Sequence, residues 1–190
     1  MENLEGGSEE AARYCRSAMY GSVLSGGFGG HIYGAGGWNG GIWSGEVEEA
    51  SLSPMWKGFL WPSGDQMKYL KKFILSEGTR YQDLIPCTDR IIPNQSDKPA
   101  GSTGWAFGAS TSKCDLFMLY FEKACPQATL EKAQPNAKYV ARWFNPRNGE
   151  WIKNPVSITA DPIGRMILPL FPDNSTKSEA DWGLKLVLAN

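Results

Sequence analysis

The residues best equipped for chemistry fall in one glycine-dense run, Gly21 to Gly45, which holds the chain's single histidine, His31, with Tyr33, Trp38 and Trp43 around it. Glycine at this density gives up backbone entropy in exchange for positive φ and close approach, so the run is built for something to come near the main chain. Aromatic faces stack on a sugar ring, and an imidazole or phenol hydrogen-bonds its hydroxyls. His31, Tyr33, Trp38 and Trp43 are therefore candidate substrate-binding residues of a sugar site. The same residue types also suit a structural loop whose tryptophans only cover a core, and residue types alone leave both readings open.

Composition narrows the setting. The 190 residues suffice for a sizeable core or two small ones, and 42% hydrophobic with 21% charged residues is ordinary for a globular chain. A formal charge of -1, with Lys and Arg scattered along the sequence, offers no attraction for polyanions and argues against nucleic-acid binding. No apolar run reaches membrane-spanning length, and the acidic opening Met1-Glu2-Asn3-Leu4-Glu5 is the reverse of a signal peptide, so a cytoplasmic protein without membrane association is expected. Cys15, Cys87, Cys114 and Cys125 lack the paired short spacings of a zinc site, and one histidine cannot complete a metal cage. The expectation is four reduced, mostly buried thiols, no metal and no cofactor.

Two organisations must position these residues. The first half reads as helices and glycine loops. Ser8 caps a helix with Glu9 and Glu10 in its first turn, Ala12, Cys15, Met19 and Val23 form its apolar face, and Gly26-Gly27 ends it. Phe28 to Gly34 reads as a short strand. Ser53-Pro54 reads as the start of a short helix through Trp61, and Ser63-Gly64-Asp65-Gln66 as a capping box ahead of Met67, Leu70 and Ile74. Residues 91–104, rich in Pro, Ser, Asp and Gly, have linker composition.

The second half alternates in the manner of strands, at Trp105–Ser110, Cys114–Glu122, Ala128–Lys132, Lys138–Asn145, Glu150–Ile158, Arg165–Phe171 and Trp182–Leu188. Asn148-Gly149 suits a tight hairpin turn. Leu116, Met118 and Tyr120 share one face, as do Tyr139, Ala141 and Trp143, so a small antiparallel sandwich is the expected closure. Trp105, Trp143, Trp151 and Trp182 are expected in its core, and Trp56 and Trp61 in the core of the first half. The expected class is α+β: a helical segment at 1–90, a linker at 91–104 and a sandwich at 105–190.

The order Arg13-Tyr14-Cys15-Arg16-Ser17-Ala18-Met19-Tyr20, Leu24-Ser25-Gly26-Gly27-Phe28-Gly29-Gly30-His31-Ile32-Tyr33-Gly34, Gly41-Ile42-Trp43 and Met67 to Ile74 resembles the C-terminal end of the apiosidase-like glycoside hydrolases. The stretches Ala141-Arg142-Trp143-Phe144-Asn145-Pro146-Arg147-Asn148-Gly149 and Asp181-Trp182-Gly183-Leu184 are similar to the β-sandwich that follows their barrel, a domain labelled putative collagen-binding. The resemblance implies a (β/α)8 barrel with an appended sandwich, of which 1–90 would supply only the last one or two barrel units. A complete barrel takes roughly 200 residues or more. A truncated glycoside hydrolase-like protein, inactive alone, is the implied reading.

Retaining glycoside hydrolysis uses two carboxyl groups roughly 5 to 5.5 Å apart, one as nucleophile and one as acid/base. By its match to the family, Glu5 in Asn3-Leu4-Glu5-Gly6-Gly7 is the candidate catalytic nucleophile, with Glu2 and Glu9 as alternatives. As a bare N-terminal carboxylate, Glu5 would simply be solvated. The acid/base would come from an earlier strand; Asp65 or Glu46 could substitute, without support from spacing. His31, Tyr33 and Trp43 would line the C-terminal rim of the barrel, and Trp38 is more loosely placed. A Ser-His-Asp triad and a phosphate-binding loop both lack their motifs. The alternative function is a noncatalytic accessory protein whose sandwich binds a carbohydrate or a protein. The implied partners are a carbohydrate and either a protein supplying the missing strands or a second copy of the chain, brought together by exposed barrel-edge surface.

Overall fold

In the computed structural model, the described residues are 8–27, 41–42, 53–54 and 60–189. The first element is helix α1, Glu9–Leu24, opened as expected by Ser8, whose side chain accepts a hydrogen bond from the Ala11 amide at 3.1 Å. It ends at Ser25 and Gly26, the latter at φ +104°. The residue pairs Gly41–Ile42 (β1) and Ser53–Pro54 (β2) form a small antiparallel ladder. Ser53–Pro54 is thus strand, not the start of a helix. Helix α2 spans Pro62–Ile74, with Trp61 as its N-cap and no side-chain cap bond. Pro62 sets its first turn because its missing N–H is one the helix start leaves unused. The expected capping box at Ser63 therefore lies inside the helix.

From Leu84 onward the regular elements are nearly all strands: β3 Leu84–Pro86, β4 Ile91–Ile92, β5 Gln95–Ala100, β6 Thr103–Thr111, β7 Leu116–Phe121, β8 Thr129–Leu130, β9 Lys138–Asn145, β10 Glu150–Trp151, β11 Val156–Thr159, β12 Met166–Ile167 and β13 Trp182–Leu188. The large sheet runs β10-β9-β13-β7-β6-β3, with β11 also on β9 and β5 on β6, and the small one runs β12-β8-β4. Every named strand pair is antiparallel. The class is α+β: among the described residues, two α-helices followed by an antiparallel sandwich. The 91–104 stretch of linker composition carries β4 and β5.

The layers follow from side-chain alternation. In β7, Phe117, Leu119 and Phe121 point to the core between the two sheets, where they meet Ile91, Leu130 and Met166 of the small sheet. Leu116, Met118 and Tyr120 point the other way, into a second core with Met19, Tyr20, Leu24, Leu70 and Phe73 of the helices. A strand buried on both faces reads as a continuous apolar run, and Leu116–Phe121 is one. Tyr139, Ala141 and Trp143 share the inter-sheet core, as their alternation predicts. The order of layers is helices, large sheet, small sheet.

The remaining departures are local. The expected strand Glu150–Ile158 is two strands on either side of Asn154-Pro155, because proline cannot donate to a ladder. Of the tryptophans, Trp143 and Trp182 are buried and Trp61 and Trp151 half-buried, but Trp105 is 37% exposed: its neighbours Gly104 and Ala106 are the ones facing inward. All four cysteines are free, Cys87 and Cys125 buried, Cys15 and Cys114 half-buried. The expected strand Phe28–Gly34 and Trp56 lie outside the described residues.

Candidate functional site

The residues assigned to chemistry from sequence, Glu5 as nucleophile and His31, Tyr33, Trp38 and Trp43 as sugar contacts, lie outside the described residues, as do Glu2 and Glu46. The structure does describe the frame on either side of the glycine run. α1 leads from Ser8 into it and α2 follows it; the two helices pack on each other and on the large sheet. At the exit of α1, a Cβ on Gly27 would stand 2.8 Å from the Ser22 carbonyl oxygen, so the chain turns there at a distance only glycine allows.

Two buried polar clasps bind this frame to the sandwich. The first centres on Arg16, 0% exposed, whose Nε and Nη2 donate to the two carboxylate oxygens of Asp181 at 2.7 and 3.0 Å. The same guanidinium donates to Gln66 of α2 at 2.9 Å and to Glu9, in the first turn of α1, at 2.6 Å. Asp181, 1% exposed, also accepts from the Tyr120 hydroxyl at 2.9 Å and from Arg147 at 3.2 Å, and its carbonyl accepts from Arg147 as well. The Arg147 guanidinium lies 4.4 Å over the Trp182 ring. Burial opposes ionisation of Asp181, but its bonds to Arg16, the positive charge of Arg147 and the Tyr120 hydroxyl outweigh it and hold the carboxyl below its ordinary value.

The second clasp is one residue further along α1. The Ser17 hydroxyl donates to Glu122 at the end of β7, and the other Glu122 oxygen accepts from the Trp105 amide at 3.0 Å. Burial dominates here and raises the Glu122 pKa despite those two bonds. Sequence reasoning missed both clasps. Arg16 at the centre of an otherwise apolar helix face was the available signal, since an arginine there demands a buried acid.

These groups cannot perform glycoside hydrolysis as placed. Asp181 and Glu122 are closed off from solvent and their oxygens are committed to donors of the fold, so they fix geometry. Asp65, weighed as a substitute acid, is exposed and paired with Lys68. Among the described residues no group of three or more His, Cys, Asp or Glu could hold a metal, and no helix is long and apolar enough to cross a membrane.

A second recess lies on the sandwich. An open trough of about 660 Å³ runs along the outer face of the small sheet, with Ile92, Thr129 and Ile167 on its floor and Ile158, Thr159 and Arg165 along one side. The floor follows from register. Ile91, Leu130 and Met166 pair across the three strands facing inward, so their successors Ile92, Thr129 and Ile167 pair facing outward.

No protein-family model and no curated protein matches the chain. Solved structures do. One described as a glycoside hydrolase superposes with a TM-score of 0.64 at 22% identity, covering 92% of this chain and 36% of the other. A glycoside hydrolase family 5 protein from Bacteroides vulgatus ATCC 8482 gives 0.67 at 21% identity, covering 93% and 36%. The chain has the fold of part of a glycoside hydrolase. It spans little more than a third of the length of these two proteins.

Proposed function

We propose that this chain supplies the barrel end and the appended sandwich of an apiosidase-like glycoside hydrolase, contributes part of a carbohydrate site, and is inactive without the preceding barrel units. The supporting observation is the fold likeness, which takes in more than nine-tenths of this chain, helices and sandwich together, but 36% of each glycoside hydrolase. The motif order around His31, and the match of Asp181-Trp182 to the start of β13, support the narrower family assignment. In this reading the helices within 1–90 belong to the barrel end and 105–190 to the sandwich, while the joining stretch 91–104, with β3 before it, contributes strands β3, β4 and β5 to the sandwich sheets.

Glu5 is the retaining nucleophile, just ahead of α1, and His31, Tyr33, Trp38 and Trp43 form the sugar-facing rim. A protein carrying the earlier strands, or a second copy of this chain, covers the exposed side of α1. The Arg16 clasp supports this reading, since it ties Glu9, four residues after Glu5, to the sandwich and so fixes the start of α1.

Retention of the chain on a glycan array tests the rim. The expected result is retention by the wild type that His31→Ala and Trp43→Ala lose by tenfold or more. Equal retention by those variants contradicts the rim assignment.

A further inference from the structure

We propose that the trough on the outer face of the small sheet is a second, independent carbohydrate site that takes a neutral oligosaccharide lying across β4, β8 and β12. Its volume, about 660 Å³, is within the range of small-ligand sites, and it is open to solvent. The described helices α1 and α2 lie on the opposite side of the large sheet from this recess.

The lining decides the ligand class. Ile92 is 48% and Ile167 72% exposed, and register sets them on either side of Thr129 on the outer face of the small sheet. Between and beside them stand the Thr129 and Thr159 hydroxyls. Arg165 is held in place: its amide and Nε donate to Asp161 at 2.8 and 3.1 Å, and among the described residues its Nη groups have no partner. The Glu131 carboxylate, half-buried at the edge, has none among them either. Aliphatic floor, two hydroxyls, a fixed donor fork and a free acceptor match a ligand with C–H faces and hydroxyl edges.

Charge and backbone exclude the competing occupants. Two carboxylates, Glu131 and Asp161, against one guanidinium, Arg165, give no attraction for an anionic glycan. A peptide adding as a strand needs a long free edge, whereas β12 has two residues and β11 four, with Pro155, Pro162 and Pro169 around them. Short, proline-flanked edges discourage strand pairing. The glycan class rests on the proposed carbohydrate function; the position of the site does not.

The test is a ¹⁵N NMR titration of the full chain with xylohexaose, mannohexaose, cellohexaose and arabinohexaose, with oligogalacturonate and an alternating valine–threonine peptide in parallel. The expected result is saturable shifts of the amides of Ile92, Thr129, Ile158 and Ile167 with a neutral hexaose, weakened tenfold or more in Arg165→Ala and Ile167→Ser. Both residues are exposed, so these variants keep the fold. Binding abolished by His31→Ala or Trp43→Ala but untouched by the trough variants overturns this inference and leaves the rim reading standing. No shift with any neutral hexaose, or binding of oligogalacturonate or peptide alone, overturns it as well.

Discussion

Arg16 joins three elements, donating to Asp181, Gln66 and Glu9 while wholly buried. Replacing it leaves Asp181 an uncompensated buried charge, so Arg16→Met is expected to cost about 3–5 kcal/mol in urea unfolding, and Arg16→Met with Asp181→Asn less than the single change. The two buried acids also predict opposite pH limbs. Asp181 is held below its ordinary value of 3.8, so its contribution is complete above that pH and is lost as pH falls through the lower folded value. Glu122 is raised above its ordinary value of 4.5, so the folded chain binds more protons than the unfolded one between the two values, and stability falls as pH rises through that window. In Glu122→Gln the remaining oxygen accepts from the Trp105 amide, the new NH2 faces the Ser17 hydroxyl, which can accept from it, and this limb is removed. Urea midpoints across the window should show the wild type losing ground to the variant as pH rises; a constant difference contradicts the assignment.

At the scale of elements, the helices are held to the sandwich by a few close approaches. Phe73 of α2 is fully buried, its ring 5.3 Å from Phe144 and 5.8 Å from Trp151, and Phe73→Ala is expected to cost about 3–5 kcal/mol by thermal or urea unfolding. Gly149, in the turn from β9 to β10, sits at φ +71°, and a Cβ there would stand 2.2 Å from the Tyr69 ring of α2. Gly149→Ala is expected to cost about 1–3 kcal/mol for the left-handed conformation, with a further loss as Tyr69 is displaced. The hairpin itself was legible, because Asn148-Gly149 and the flanking alternation are local signals. So were α1, β9 and β13, whose periodicity and boundaries need no distant partner. What escaped was non-local: β3 and β4 are short, β5 is mostly exposed, and the strand state of all three depends on β6 and β8, which composition does not reveal. The start of α2 was read two residues late, at the Ser63 capping-box pattern, because Pro62 opens the helix from Trp61 with no side-chain cap.

For the whole molecule, the class of fold was legible because strand alternation crowds the second half and helical periodicity the first. The candidate site was legible only as residue types and a motif order: Glu5, His31, Tyr33, Trp38 and Trp43 have no local pattern that fixes their mutual distances. The clasps at Arg16 and Ser17 join residues more than 100 positions apart and left no pattern beyond charge on an apolar face. Both clasps tie α1, the element that follows Glu5 in sequence, to the sandwich, and this gives the sandwich a role in holding α1 in place. The most direct measurement is aryl-glycoside hydrolysis by the chain alone and by the chain together with a polypeptide bearing the six preceding barrel units. No turnover by the chain alone, turnover on complementation, and its loss in Glu5→Gln are expected. Turnover by the isolated chain, or complemented turnover that survives Glu5→Gln, would contradict this expectation.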